Sequence, residues 1–156
     1  MKITVIAVSA RQPQWIEDGC EEYLKRMPPE MPAVIRELKP EPRGAGRTAA
    51  QLMAAEKARI EAALPERGRV VALDERGSDL TTEKLARRLE AWQGAGDPVS
   101  LLIGGADGLD PALKARADET IRLSSLTLPH GLAKLLLCEQ LYRASSLLRG
   151  HPYHRP

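Results

Sequence analysis

The stretch PVSLLIGGADGLD, residues 98–110, decides the fold. Its first half is a nearly unbroken apolar run, as expected of a strand at the centre of a parallel sheet, where helices cover both faces. The run breaks at Gly104 and Gly105, and Pro111 opens a short helix at its first position. A glycine pair at the carboxyl end of a buried strand serves one of two ends. It admits close backbone approach by a ligand, or it makes a tight turn with positive φ at Gly105 or Gly108. In open α/β sheets ligands bind at that end of the strands. The spacing is GGxxG and follows a late strand, so it is not the dinucleotide fingerprint, and a nucleotide-binding oxidoreductase is disfavoured.

Working outward, residues 2–8, 33–38, 69–74 and 120–123 read as further strands, rich in β-branched residues. Helices are predicted from Pro13 to Met27, from Thr48 to Leu64, from a cap at Thr81 to Gln93, and from Pro129 to Arg149. The first of these places Trp15, Ile16, Gly19, Cys20, Tyr23 and Leu24 on one face. Residues 39–47, KPEPRGAGR, read as an exposed basic loop, and residues 77–80 as a turn. Strands alternating with helices give an α/β fold: one domain over residues 1–156, with a mostly parallel sheet and helices on both faces.

The composition, 43% hydrophobic and 28% charged, is that of a globular domain. Cys20 and Cys138 lie far apart in sequence within apolar helical patterns. They read as reduced core residues, which suits a cytoplasmic location. The apolar run of MKITVIAVSA is too short for a signal peptide and reads as the first strand. No stretch approaches the roughly 18 apolar residues of a membrane span. The net charge of +2 is unevenly spread. Residues 120–156 hold Arg122, Lys134, Arg143, Arg149 and Arg155 against Glu139 alone. A basic end suits a polyanionic partner or is a solvated helix face.

Four segments could carry chemistry. The first is the glycine pair above. In the second, Asp74 at a strand end could bind a ribose hydroxyl or close a turn before Gly77, the latter being the simpler reading. In the third, LSSLTLPHGLAKLLLCEQLYRA, residues 123–144, alternation groups the leucines of the loop and leaves its backbone groups free. The helix that follows is apolar over more than one stripe. It is either sandwiched within the monomer or packed on a second subunit, and dimerisation is the better reading. The fourth is the terminus HPYHRP, residues 151–156. Two histidines with no third ligand argue against a zinc site, so no metal is expected. A Pro-stiffened Tyr–His–Arg tail could clamp nucleic acid, although the default for a chain end is fraying. An aromatic content of 3% makes a base-stacking platform improbable.

Taken together, LLIGGADG, LTLPHGLAKLLLCEQLYRA and the HPYHR terminus resemble the RlmH family of SPOUT-class methyltransferases, which methylate N3 of a pseudouridine in 23S ribosomal RNA. The resemblance spans the whole chain; residues 39–64 match only in general character. It implies a C-terminal trefoil knot, a homodimer, S-adenosylmethionine as cofactor, and ribosomal RNA or the assembled ribosome as partner. The cofactor contacts it implies fall at Leu73, Gly104, Leu123, Ser124, Ser125, Leu126, Thr127 and Leu128. Tyr153, His154 and Arg155 become candidates for the target-base end. The family often has Pro–Glu where this chain has Ala106–Asp107, which keeps the acid but shortens it. Gly131 and Pro156 are permissive variations. The rival expectation is a catalytically silent dimeric RNA-binding protein of the same fold.

Overall fold

The computed structural model describes residues 1–155. Pro156 lies outside the described residues. Five strands, β1 (Ile3–Val8), β2 (Ala33–Leu38), β3 (Arg69–Asp79), β4 (Val99–Ile103) and β5 (Glu119–Arg122), form one sheet in the order β2-β1-β4-β3-β5. All four pairings are parallel, and β4 lies at the centre with all five of its residues buried. The helices are α1 (Gln14–Leu24), α2 (Ala49–Ala63), α3 (Thr82–Ala95), α4 (Pro111–Arg116) and α5 (His130–Leu148).

The period-two alternation of the strands sorts the core onto two faces. Ile3, Val5, Val71, Leu101, Ile103 and Ile121 meet Leu85, Leu89 and Trp92 of α3 and Leu137, Leu141 and Ala144 of α5. Ile6, Val8, Val70, Ala72 and Leu102 meet Ile60 of α2 and Leu113 of α4. Each fully buried Ile or Leu contributes about 2 kcal/mol of transfer free energy. Local chemistry sets the helix starts. Thr48 and Gln51 form a reciprocal capping box on α2, and Thr81 accepts from the Lys84 N–H on α3.

Two expectations are corrected. Strand β3 does not end at Asp74 with a turn at 77–80; it runs to Asp79. Both Leu73 and Ser78 lie opposite Ile121, so the intervening residues bulge out of the ladder and the strand then resumes. Gly77 permits this, because a Cβ there would lie 2.5 Å from the Ile121 carbonyl carbon. Trp15 leaves the apolar face assigned to it and is 61% exposed. The cysteines are free core residues, as expected, and although distant in sequence they share one buried cluster with Ile16 where α1 packs on α5.

Helix α5 is sandwiched within the monomer, packed on α1 and α3. Its apolar excess is thereby partly used, though Leu132 and Leu136 remain exposed one turn apart. The one buried charged group among the described residues of α5 is Lys134, whose side chain is 1% exposed. Its ammonium donates to Glu17 of α1 at 2.9 Å and to Glu37 of β2. Burial alone would lower the lysine pKa. The hydrogen bonds to Glu37 and Glu17 outweigh it, so the net shift is upward.

Lys134→Ala should cost about 3 kcal/mol in urea unfolding, since it leaves two half-buried carboxylates facing each other without a cation. The raised pKa sets the sign of the pH dependence. The stabilisation is complete below the unfolded lysine value of about 10.4 and is lost as pH climbs through the folded value. Wild type should therefore lose its advantage over the variant in strong alkali.

Candidate active site

A cleft of about 780 Å³ opens at the carboxyl ends of β3, β4 and β5. This is where ligands bind in open parallel sheets, and the size suits a small organic cofactor. Leu73, Gly104 and all of Leu123, Ser124, Ser125, Leu126, Thr127 and Leu128 line it. Residues distant in sequence thus share one wall because their strands are neighbours in the sheet.

The 123–128 loop supplies unused hydrogen-bonding capacity. Among the described residues, the backbone of Ser125, Thr127 and Leu128 makes no hydrogen bond within the chain. Leu126 N–H donates to Ser124 Oγ at 2.9 Å, which holds the bend. The alternating leucines do not stay together as expected. Leu123 packs on the core, whereas Leu126 is 74% exposed. The loop leaves the sheet after Arg122, so strand periodicity no longer governs where its side chains point.

Gly104 serves the chain's own backbone. A Cβ there would lie 2.5 Å from the Gly108 carbonyl carbon and 2.6 Å from Leu109 N. Gly108, not Gly105, takes the positive φ, at 82°. Gly105 leaves room for Glu56, whose Oε1 would be 2.7 Å from an added Cβ.

The cleft also holds charges, of which Asp74 alone was weighed from sequence as a ligand-binding group. Asp74 accepts from Arg76 N–H at 3.2 Å, which is the turn-closing bond expected of it, and from Lys114 Nζ at 3.4 Å. Asp107 at the rim accepts from Arg43 of the 39–47 loop at 2.7 Å. Arg76, Arg122 and His130 line the same space. His130, the first residue of α5, was legible only as part of LTLPH. Its place beside the cleft depends on where α5 docks.

Tyr153, His154 and Arg155 are not in this cleft. Helix α5 starts at its edge and runs for 19 residues, so the tail begins about 27 Å away. Nor is the tail frayed. Gly150 at φ 69° closes α5, with Gly150 N–H on Leu147 O and His151 N–H on Ser146 O. Pro152–His154 then form a 3-10 turn. His151 accepts from Tyr153 N–H at 3.2 Å, and His154 Nδ1 contacts the His151 carbonyl, so both imidazoles engage the tail's own backbone. Tyr153 is half-buried and Arg155 is exposed.

Two glycine substitutions separate packing from conformation. Gly104→Ala should destabilise by about 3 kcal/mol, because its new methyl meets backbone that cannot swing aside. Gly108→Ala, facing open space at a positive φ, should cost about 1 kcal/mol. Paired thermal unfolding measurements check the difference.

Comparison with known proteins agrees with this architecture. The model of the family described as predicted SPOUT methyltransferase matches residues 1–154. Proteins named ribosomal RNA large subunit methyltransferase H are 62% identical in Dechloromonas aromatica and in Ralstonia nicotianae, and 59% identical in Burkholderia ambifaria. Each match covers 99% of this chain and 99% of the relative. Among solved structures, a putative methylase family protein from Neisseria gonorrhoeae is similar with a TM-score of 0.55, covering 90% of this chain and 81% of that one at 14% identity. A probable methylase family protein from Haemophilus influenzae is similar with a TM-score of 0.60, covering 96% of this chain and 69% of that one at 11% identity. These two share the fold. From a whole-chain family match and near-full-length relatives at about 60% identity, the chain belongs to the SPOUT methyltransferase family.

Proposed function

We propose that the protein transfers a methyl group from S-adenosylmethionine to N3 of a pseudouridine in large-subunit ribosomal RNA, acting as a homodimer in the cytoplasm. One observation carries the reading. A cleft at the carboxyl ends of a parallel sheet is walled by a loop whose backbone groups are unspent, in a chain of a methyltransferase family. The names of the near-full-length relatives point to ribosomal RNA as the substrate.

The free N–H and C=O groups of Ser125, Thr127 and Leu128 suit the edge of an adenine. Leu73 and Leu123 offer apolar walls for its faces. The donor supplies an electrophilic sulfonium methyl; the protein must align the target and remove the imide proton. Arg155, exposed and cationic, suits a phosphate or a uracil carbonyl. His154 is the candidate proton acceptor.

Because α5 separates tail from cleft, one subunit does not bring both ends of the reaction together. A two-fold axis across α5 lays two copies of the helix antiparallel and carries each tail toward the other subunit's cleft. The exposed Leu132 and Leu136, together with exposed Leu126, provide apolar surface for such pairing. A trefoil knot formed by the C-terminal segments is part of the same proposal, supported by membership of the family. No helix among the described residues is long and apolar enough to cross a membrane.

Calorimetry should show S-adenosylmethionine binding, and no binding would overturn the reading. RNA association without methyl transfer would instead identify a silent RNA-binding protein. A chain lacking residues 151–156 should bind the cofactor and transfer nothing. Thr127→Trp, whose ring fills the cleft, should lose cofactor binding. Co-expressed, the two defective chains should recover part of the wild-type activity, since their hybrid dimer contains one complete site.

A further inference from the structure

All three tyrosines of the chain meet at one place, beneath the tail. The Tyr153 ring lies 4.6 Å from that of Tyr142 on α5 and 6.4 Å from that of Tyr23 on α1. The Arg143 guanidinium sits 4.8 Å from the Tyr153 ring centroid and donates to the Tyr153 carbonyl at 3.2 Å. Glu139 holds Arg143 at 2.6 Å and accepts from the Tyr153 hydroxyl at 3.3 Å. Ring, hydroxyl and backbone carbonyl are therefore all engaged by the chain's own α1 and α5. The neighbouring Arg155 is exposed, and among the described residues its side chain makes no ion pair.

We infer that Tyr153 is a positioning residue: its ring, seated on Tyr142 and Tyr23 under Arg143, docks the tail on its own subunit and leaves His154 and Arg155 to face the substrate. This rests on the proposal that the tail completes the partner's cleft. A tail fixed on its own subunit reaches across an interface already ordered, so its ordering entropy is not spent at each turnover. The electrostatics around the phenol agree with a structural role for it. Burial, the contact with Tyr23 and the Glu139 carboxylate all push the Tyr153 hydroxyl above the ordinary tyrosine range, so it stays protonated at neutral pH.

The test uses Tyr153→Phe, Tyr153→Ala and the chain lacking residues 151–156, each as the full dimer. Methyl transfer, its pH profile, cofactor affinity and hydrogen exchange of the tail amides are measured. Tyr153→Phe keeps the ring seated. Its tail amides should stay protected, its kcat should remain within about fivefold of wild type, and its pH profile should not move. Tyr153→Ala frees the tail. Amide protection should vanish and kcat fall on the order of a hundredfold, with cofactor affinity unchanged. Equal loss in the Phe and Ala variants with the tail still protected overturns the inference, because the phenol then acts chemically. Full activity of Tyr153→Ala, with the truncated chain inactive, overturns it too. Full activity of the truncated chain overturns the composite site on which it rests.

Discussion

The Lys134 ammonium, held between Glu17 and Glu37, is the tie on which the arrangement depends. It joins three elements that a single hydrophobic face could not register: α1, the edge strand β2 and the last helix. A buried charge is tolerated only where partners surround it, so the docking of α5 admits little slippage. Leu135 against Gly19, and Ile16 against Gly131, lock the same contact through close packing. Where α5 sits decides the rest. Its first turn borders the cleft and its last turn launches the tail.

The cleft itself arises from a conflict between sheet and loop. Parallel strands end together on one side, which leaves their carboxyl ends to be closed by whatever follows them. After β4 the chain folds tightly on itself, with Gly104 pressed against the Gly108–Leu109 backbone. After β5 the chain has no such partner, and residues 123–128 bend away with the backbone groups of Ser125, Thr127 and Leu128 unpaired among the described residues. One loop spends its backbone on rigidity. The other keeps it for a ligand. β3 adds a bulge at the same edge, carrying Asp74 and Arg76 out of the ladder and into the cleft.

Much of this was legible in the residues. The apolar β4 run, the strand–helix alternation and the Thr81 cap each rest on local rules that tolerate little tertiary override. The eight cleft residues were legible as a set only through the family resemblance, and the sheet then placed them together. The β3 bulge escaped because its cause, close contact between Gly77 and Ile121, lies between strands rather than along one. Trp15 and Leu126 escaped for a related reason. Periodicity shows which side chains share a face, not whether anything covers that face.

Residues alone were enough for the α/β class, for the order of strands and helices with approximate spans other than that of β3, and for the chemical character of the two functional segments, because these follow from periodicity, capping and residue type. Only the tertiary structure decided that the tail is docked rather than frayed and that Cys20 meets Cys138. It alone showed Gly104 serving the chain's own backbone, and cleft and tail lying at opposite ends of one helix. Those are distances between segments remote along the chain, and they are set by how α5 packs between α1 and α3, which no local pattern encodes.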